Sequence, residues 1–228
     1  MSIENKIAAY RDELKNTGAR LVAVSKTKPN SDLLQAYEAG QRDFGENKVQ
    51  ELAQKAEDLP KDIRWHMIGH LQRNKVKYLA PFVYLIHSVD SPRLLAEINK
   101  QAIKNERTID CLLQVFIADE TTKFGFDEEE LMNYLNSEEF AGLSHIHIKG
   151  LMGMATNTPD QDQIRTEFSS LKALSKRIEK EIDSAQVSME ELSMGMTSDY
   201  QIACEEGSTL VRIGSAIFGA RNYSNQQA

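Results

Sequence analysis

Short runs of Val, Ile, Leu and Met alternate along the chain with longer stretches in which apolar residues recur every three to four positions. That is the pattern of buried strands separated by amphipathic helices. Eight runs read as strands, at residues 21–26, 43–47, 65–70, 84–89, 111–117, 146–154, 191–196 and 210–218. The helical period runs over 31–39, 49–57, 71–79, 92–105, 128–136, 161–182 and 198–205. In the sixth of these, Ile164, Phe168, Leu171, Leu174, Ile178 and Ile182 share one stripe, while Arg165, Glu167, Lys172, Lys176, Arg177 and Lys180 fall mostly off it. Ser31-Asp32, Ser91-Pro92 and Ser198-Asp199 are the expected helix starts. Ile3, Ile7, Tyr10 and Leu14 predict an N-terminal surface helix at about 3–16 and not a signal peptide.

Strand and helix in strict alternation, without a Pro/Gly/Ser linker, predict an α/β fold: a (β/α)8 barrel of TIM type, as one domain over 1–228. The competing arrangement is a doubly wound open sheet, but its G-x-G-x-x-G fingerprint does not occur, nor does G-x-x-x-x-G-K-[ST].

Composition narrows the function classes. The 228 residues are 41% hydrophobic and 27% charged, which disfavours disorder and low complexity. A net charge of -7 would repel a phosphate backbone, so nucleic acid is not the expected partner. No run approaches the ~18 apolar residues of a membrane span. Cys111 and Cys204 lack C-x-x-C spacing, which points to reduced thiols in a cytoplasmic protein.

In a parallel barrel the working face lies at the strand C-terminal ends. Leu21-Val-Ala-Val-Ser-Lys26 there delivers an amine to the mouth. Partial burial and a neighbouring cation such as Lys28 would favour its neutral, nucleophilic form, making Lys26 a Schiff-base candidate. The other reading is a lysine leaving the barrel for solvent in Thr27-Lys28-Pro29. Across the mouth, Ser193, Gly195, Thr197 and Ser198 offer hydroxyls and close backbone approach for an anion, and Gly214-Ser215 repeats the theme. Alternatively, these glycines only let the chain turn. Arg212, in an apolar run, needs an acceptor; a ligand or a buried carboxylate such as Glu46 would serve. His66 and His70 have H-x-x-x-H spacing but carry Met67 where a zinc protease needs Glu; four apart on a strand they would share a face, so a metal pair is one reading and core or mouth histidines without metal the favoured one. Met154 and Met196 could line the flat face of a ligand; barrel packing is the alternative.

Taken together, Ala23-Val-Ser-Lys-Thr-Lys-Pro29, Phe44-Gly-Glu-Asn47 with Gln50-Glu51, Trp65-His-Met-Ile-Gly-His-Leu-Gln72 with Asn74-Lys75, Leu192-Ser-Met-Gly-Met196 and Val211-Arg-Ile-Gly-Ser-Ala-Ile-Phe-Gly-Ala-Arg221 resemble the pyridoxal phosphate homeostasis family. The resemblance runs from about Leu21 to Tyr223; Lys48 departs from it, standing where the family usually has Tyr. It implies a barrel like the N-terminal domain of alanine racemase, with Lys26 matching the lysine that forms the internal aldimine with pyridoxal 5'-phosphate (PLP). It further implies that Arg212 partners the pyridine nitrogen, that Ser193, Gly214 and Ser215 contact the phosphate, and that Asn47 and His70 lie near the ring.

An arginine partner keeps its own proton, so the ring nitrogen stays largely unprotonated and the ring is a weaker electron sink than one facing Asp. Racemisation also needs a second base, which in the racemase resemblance comes from a further domain; eight strands and their helices are expected to consume this chain. The expected function is therefore reversible PLP binding for intracellular buffering or delivery, with PLP-dependent apo-enzymes as recipients and a monomeric state. The rival readings are a PLP-dependent enzyme, such as a weak amino-acid racemase, and an aldolase-like barrel forming Schiff bases with carbonyl sugars.

Overall fold

The apolar runs form strands that are largely buried on both faces, as an all-parallel sheet requires. They are β1 (Arg20–Val24), β2 (Asp43–Glu46), β3 (Arg64–Met67), β4 (Leu85–Val89), β5 (Ile109–Gln114), β6 (Ile146–Met152), β7 (Val187–Met196) and β8 (Leu210–Ile213). Each pairs in parallel with the next in chain order, and β8 closes on β1 with Val22 opposite Arg212 and Ala23 opposite Ile213. The fold is thus the closed (β/α)8 barrel that the alternation predicts. The structure, a computed structural model, describes residues 1–118 and 125–220; Arg221 and Tyr223, the last residues of the family resemblance, lie outside them.

The helices are α1 (Ile3–Leu14), α2 (Asn30–Glu38), α3 (Val49–Asp58), α4 (Val76–Leu79), α5 (Pro92–Lys104), α6 (Glu128–Leu135), α7 (Glu138–Ala141), α8 (Gln161–Glu181), α9 (Tyr200–Glu205) and α10 (Ser215–Phe218). In α8 the stripe packs inward: Phe168, Leu171 and Ile178 are fully buried, each contributing roughly 1.5–3 kcal/mol of apolar burial. Its first turn is capped by Asp160, whose Oδ1 accepts from the amides of Asp162 and Gln163. Among the described residues, no helix is long and apolar enough to cross a membrane.

Strand alternation divides the core. Leu21, Ala23, Trp65, Met67 and Ile86 face the helices, whereas Val22, Leu85, Leu112, Met152 and Leu210 form a separate apolar cluster. The inner face also carries Asp43, His66, His87, Ser193 and Arg212, all buried.

Several expectations shift: the helix expected at 71–79 is a 3-10 turn at Arg73–Lys75 followed by α4, and α2 begins at Asn30, ahead of Ser31-Asp32. The run at 210–218 is not one strand: β8 stops at Ile213, Gly214 breaks it, and Ser215–Phe218 is a helical turn. A short apolar run does not distinguish the two by period. His70 lies beyond β3, so it does not share a strand face with His66. Asp199 precedes α9 but does not cap it, its Oδ1 instead accepting from the Met196 amide at 2.5 Å.

Candidate functional site

A cavity of about 420 Å³ opens at the C-terminal ends of the strands, lined by Lys26, Lys28, Asn47, Arg212, Gly214 and Ser215, with Thr197, Ser198, Met154 and Met196 beside them. Its size suits a small cofactor. Another cavity, of about 370 Å³, lies at the opposite end of the barrel, among Arg11, Arg20, Arg42 and Arg64, so volume does not select the site. Chemistry does: the mouth cavity takes three basic side chains and no carboxylate from the described residues lining it, in a protein of net charge -7. Such a lining favours an anion.

Lys26 sits just past β1, half-buried, in a turn held from beneath. The Lys55 ammonium donates to the Ser25 carbonyl (2.9 Å), Glu46 Oε1 (2.8 Å) and Glu51 Oε1 (2.7 Å). Glu46 Oε1 also accepts from Ser25 Oγ at 2.6 Å, and Glu51 Oε1 from the Thr27 amide at 2.6 Å. The residues on both sides of Lys26 are therefore clamped to α3 and β2. The clamp also restrains Thr27, a β-branched residue at φ 64°, a backbone region it enters only under constraint. Burial raises the Glu46 carboxyl above its ordinary range despite Lys55 and Ser25.

Arg212 projects from β8 and lies almost wholly inside the barrel. Its Nη1 donates to the Ser193 carbonyl (2.8 Å) and to Ser193 Oγ (2.5 Å), and its Nη2 to the Gly153 carbonyl (3.1 Å). Burial pushes its pKa down to about 10, with the charge of Asp199 opposing the shift. Glu46 is not its partner, being committed to Lys55 and Ser25. The acceptors that Arg212 needs are two carbonyls and one hydroxyl.

The resemblance-derived residues separate into two groups. Lys26, Asn47, Arg212, Gly214 and Ser215 meet at the mouth. Asn47 Oδ1 is buried there without a hydrogen-bond partner among the described residues, an acceptor left for a ligand's donor. A Cβ on Gly214 would lie 3.0 Å from the Val24 carbonyl oxygen, so glycine lets this turn approach β1. Met154 and Met196 line the same cavity and are 44% and 37% exposed, apolar surface at the rim.

Ser193 and His70 fall elsewhere. Ser193 is fully buried, its Oγ engaged by Arg212 and by His87 Nδ1 at 2.8 Å, and it is not among the residues lining the cavity. It supports Arg212 from inside the barrel, beneath the mouth. His70 is exposed, with Nδ1 3.1 Å from Asp90 Oδ2 on a separate surface cleft. Sequence reading missed Lys55, Glu51 and His87 as parts of this apparatus. The Gln50-Glu51 segment of the family resemblance was the available signal for the clamp; His87 had none.

Fold and mouth together define a barrel of the alanine racemase N-terminal-domain class, and the family model described by that phrase matches residues 1–222. A pyridoxal phosphate homeostasis protein of Aquifex aeolicus is 40% identical over 206 residues, covering 90% of this chain and 88% of its own. The protein of that name from Homo sapiens is 36% identical over 240 residues, covering 98% and 84%. PipY of Synechococcus elongatus, solved with PLP bound, superposes with a TM-score of 0.85 at 33% identity, covering 96% of this chain and 100% of that one. The chain belongs to the pyridoxal phosphate homeostasis protein family.

Proposed function

We propose that this protein holds PLP reversibly at the barrel mouth through Lys26, and buffers or delivers it within the cell with little catalysis of its own. When bound, PLP supplies an aldehyde that joins reversibly to a primary amine, a ring nitrogen, and a phosphate needing donors and positive charge. Lys26 presents the amine, on a turn kept in place by Lys55, Glu46 and Glu51. Arg212 donates toward the ring nitrogen. With a pKa of about 10 it keeps its proton at neutral pH, and, unlike a carboxylate, it does not hold a proton on that nitrogen. Gly214 and Ser215, with Thr197, Ser198 and the Lys28 charge, receive the phosphate; Ser193 takes no part in this. Asn47 Oδ1 offers an acceptor, and Met154 and Met196 cover a flat apolar face.

The observation that carries this reading is that Lys26 and Arg212 share one cavity with no acidic residue among its described lining. The names of the relatives and the PLP held by PipY support it. The same reading takes residues 1–228 as one cofactor-binding domain, monomeric and cytoplasmic, that hands PLP to apo-enzymes requiring it.

Borohydride reduction of the protein after incubation with PLP, followed by peptide mass mapping, tests the assignment. One adduct at Lys26 is expected, and none in Lys26→Ala. An adduct on a different lysine, or no adduct at all, overturns the proposal.

A further inference from the structure

Five buried polar side chains form a continuous hydrogen-bonded line through the barrel, from the start of β2 to the underside of the mouth. Asp43 Oδ1 lies 2.9 Å from His66 Nε2, and His66 Nδ1 lies 2.8 Å from His87 Nε2. His87 Nδ1 is 2.8 Å from Ser193 Oγ, which is 2.5 Å from Arg212 Nη1. His66, His87 and Ser193 have no exposed surface, and Asp43 and Arg212 are nearly as deep.

The two ends have fixed polarity. A guanidinium only donates and an ionised carboxylate only accepts. Asp43 stays ionised: burial pushes its carboxyl up, but hydrogen bonds from His66 and Arg64 outweigh that and hold it far below the ordinary range. His66 Nε2 therefore carries a proton. His87 is neutral, its pKa driven well down first by burial and further by the nearby charge of Arg212.

Two proton orders remain. In the first, every link donates toward Asp43: Arg212 to Ser193 Oγ, Ser193 to His87 Nδ1, His87 Nε2 to His66 Nδ1, and His66 Nε2 to Asp43. In the second, a charged His66 donates from both nitrogens, and His87 must then donate to Ser193. The Ser193 oxygen would face two donors, and its own proton would have no acceptor among the described residues, an expensive arrangement in a buried site. The first order satisfies every group.

We infer that His66 and His87 are positioning residues of the cofactor site: as neutral Nε2–H tautomers they turn the acceptor end of each link toward Arg212, fixing its charge and its fork at the mouth. This inference rests on the reading of Arg212 as the ring-nitrogen contact. A carboxylate placed against Arg212 would cancel its charge toward the pocket. A line of aligned neutral dipoles stabilises the cation and leaves it net positive there. The line holds a proton pattern and does not conduct, because moving one proton along it would leave neutral arginine and protonated aspartate.

Histidine ring nitrogen–proton correlation spectra read the tautomers directly in protein to which no PLP has been added. The chain has five histidines. Replacing His70, His145 and His147 by Gln leaves only His66 and His87, without touching the line. Both are expected to show a protonated Nε2 and a bare Nδ1. A proton on Nδ1 of His87, or a charged ring at neutral pH, overturns the inference.

The positioning role is read by titration with PLP. In Asp43→Asn, altered at the far end of the line, and in His87→Leu, the dissociation constant is expected to rise about tenfold and the absorption band of the bound cofactor to shift. His87→Asn, which can still accept from Ser193, is expected to recover most of the affinity. Variants that lose thermal stability yet keep wild-type affinity and band overturn the role. If the unaltered protein takes up no PLP, the proposed function and this role toward it both fall, while the histidine spectrum still decides the polarity of the line.

Discussion

Lys55 Nζ lies 2.8 Å from Glu46 Oε1 in an ion pair that is almost completely buried, directly beneath the turn that carries Lys26. Opposite charges taken out of water are costly unless their remaining hydrogen-bonding capacity is used. Lys55 uses its other donors on the Ser25 carbonyl and Glu51, whereas Glu46 Oε2 has no hydrogen-bond partner among the described residues.

Removing one partner should therefore cost far more than a surface ion pair is worth. Lys55→Met leaves Glu46 buried without its cation and is expected to destabilise the protein by roughly 3–5 kcal/mol. The double variant Lys55→Met/Glu46→Gln is expected to recover part of that loss. Urea unfolding midpoints check both; a single-variant cost under about 1 kcal/mol would show that the pair is solvated in solution.

Acid stability follows from Asp43. Its folded pKa is depressed below the ordinary 3.8, so its contribution is present in full above that value and is lost as pH falls through the folded value. Unfolding midpoints measured from about pH 6 down to about pH 2 are expected to fall most steeply below about pH 4. Asp43→Asn should flatten that limb while lowering stability at neutral pH. Glu46 acts in the opposite sense: its raised pKa removes stability as pH climbs past the ordinary carboxylate range.

The two serines assigned to the phosphate by resemblance should behave differently. Ser193→Ala strands the buried donor of Arg212 and its link to His87, and is expected to cost about 1–3 kcal/mol of stability while affinity for inorganic phosphate is retained. Ser215→Ala, at the exposed rim, is expected to weaken phosphate binding and change the unfolding free energy by no more than about 0.5 kcal/mol. Calorimetric phosphate titration beside chemical denaturation separates the two; the reverse pattern would return Ser193 to the phosphate site.

Gly214→Val tests the close approach of the last turn to β1. Its Cβ would press on the Val24 backbone oxygen at 3.0 Å and on Val24 Cβ at 3.1 Å, so the turn must move outward. PLP affinity is expected to drop at least about tenfold, with a smaller loss of folding stability. An unchanged dissociation constant would argue that the turn does not touch the cofactor.

The site residues legible in the chain are those at the ends of apolar runs. Lys26 stood out because an otherwise apolar strand ended in an amine, Arg212 because a charge interrupted another, and Gly214-Ser215 because small polar residues followed it. Ser193 and His70 attracted attention because both sit in polar punctuation near a strand end, and the structure places both away from the lining of the mouth. Their direction depends on barrel closure: Ser193 turns inward between outward-facing Leu192 and Met194, and β3 stops at Met67, before it reaches His70. Within its helix, Lys55 reads like any other charge on α3, and nothing local marks it as buried.

The sequence alone determined the alternation of strands and helices, the parallel barrel, and the amine at the end of the first strand. These follow from apolar period and polar interruption, which act over a few residues at a time. Only the tertiary structure decided that Asp43, His66, His87, Ser193 and Arg212, drawn from five different strands, would meet in one line and that Lys55 would reach beneath Lys26. A buried polar group is stable only when a partner stands within hydrogen-bonding distance, and closing the barrel is what brings such distant partners together.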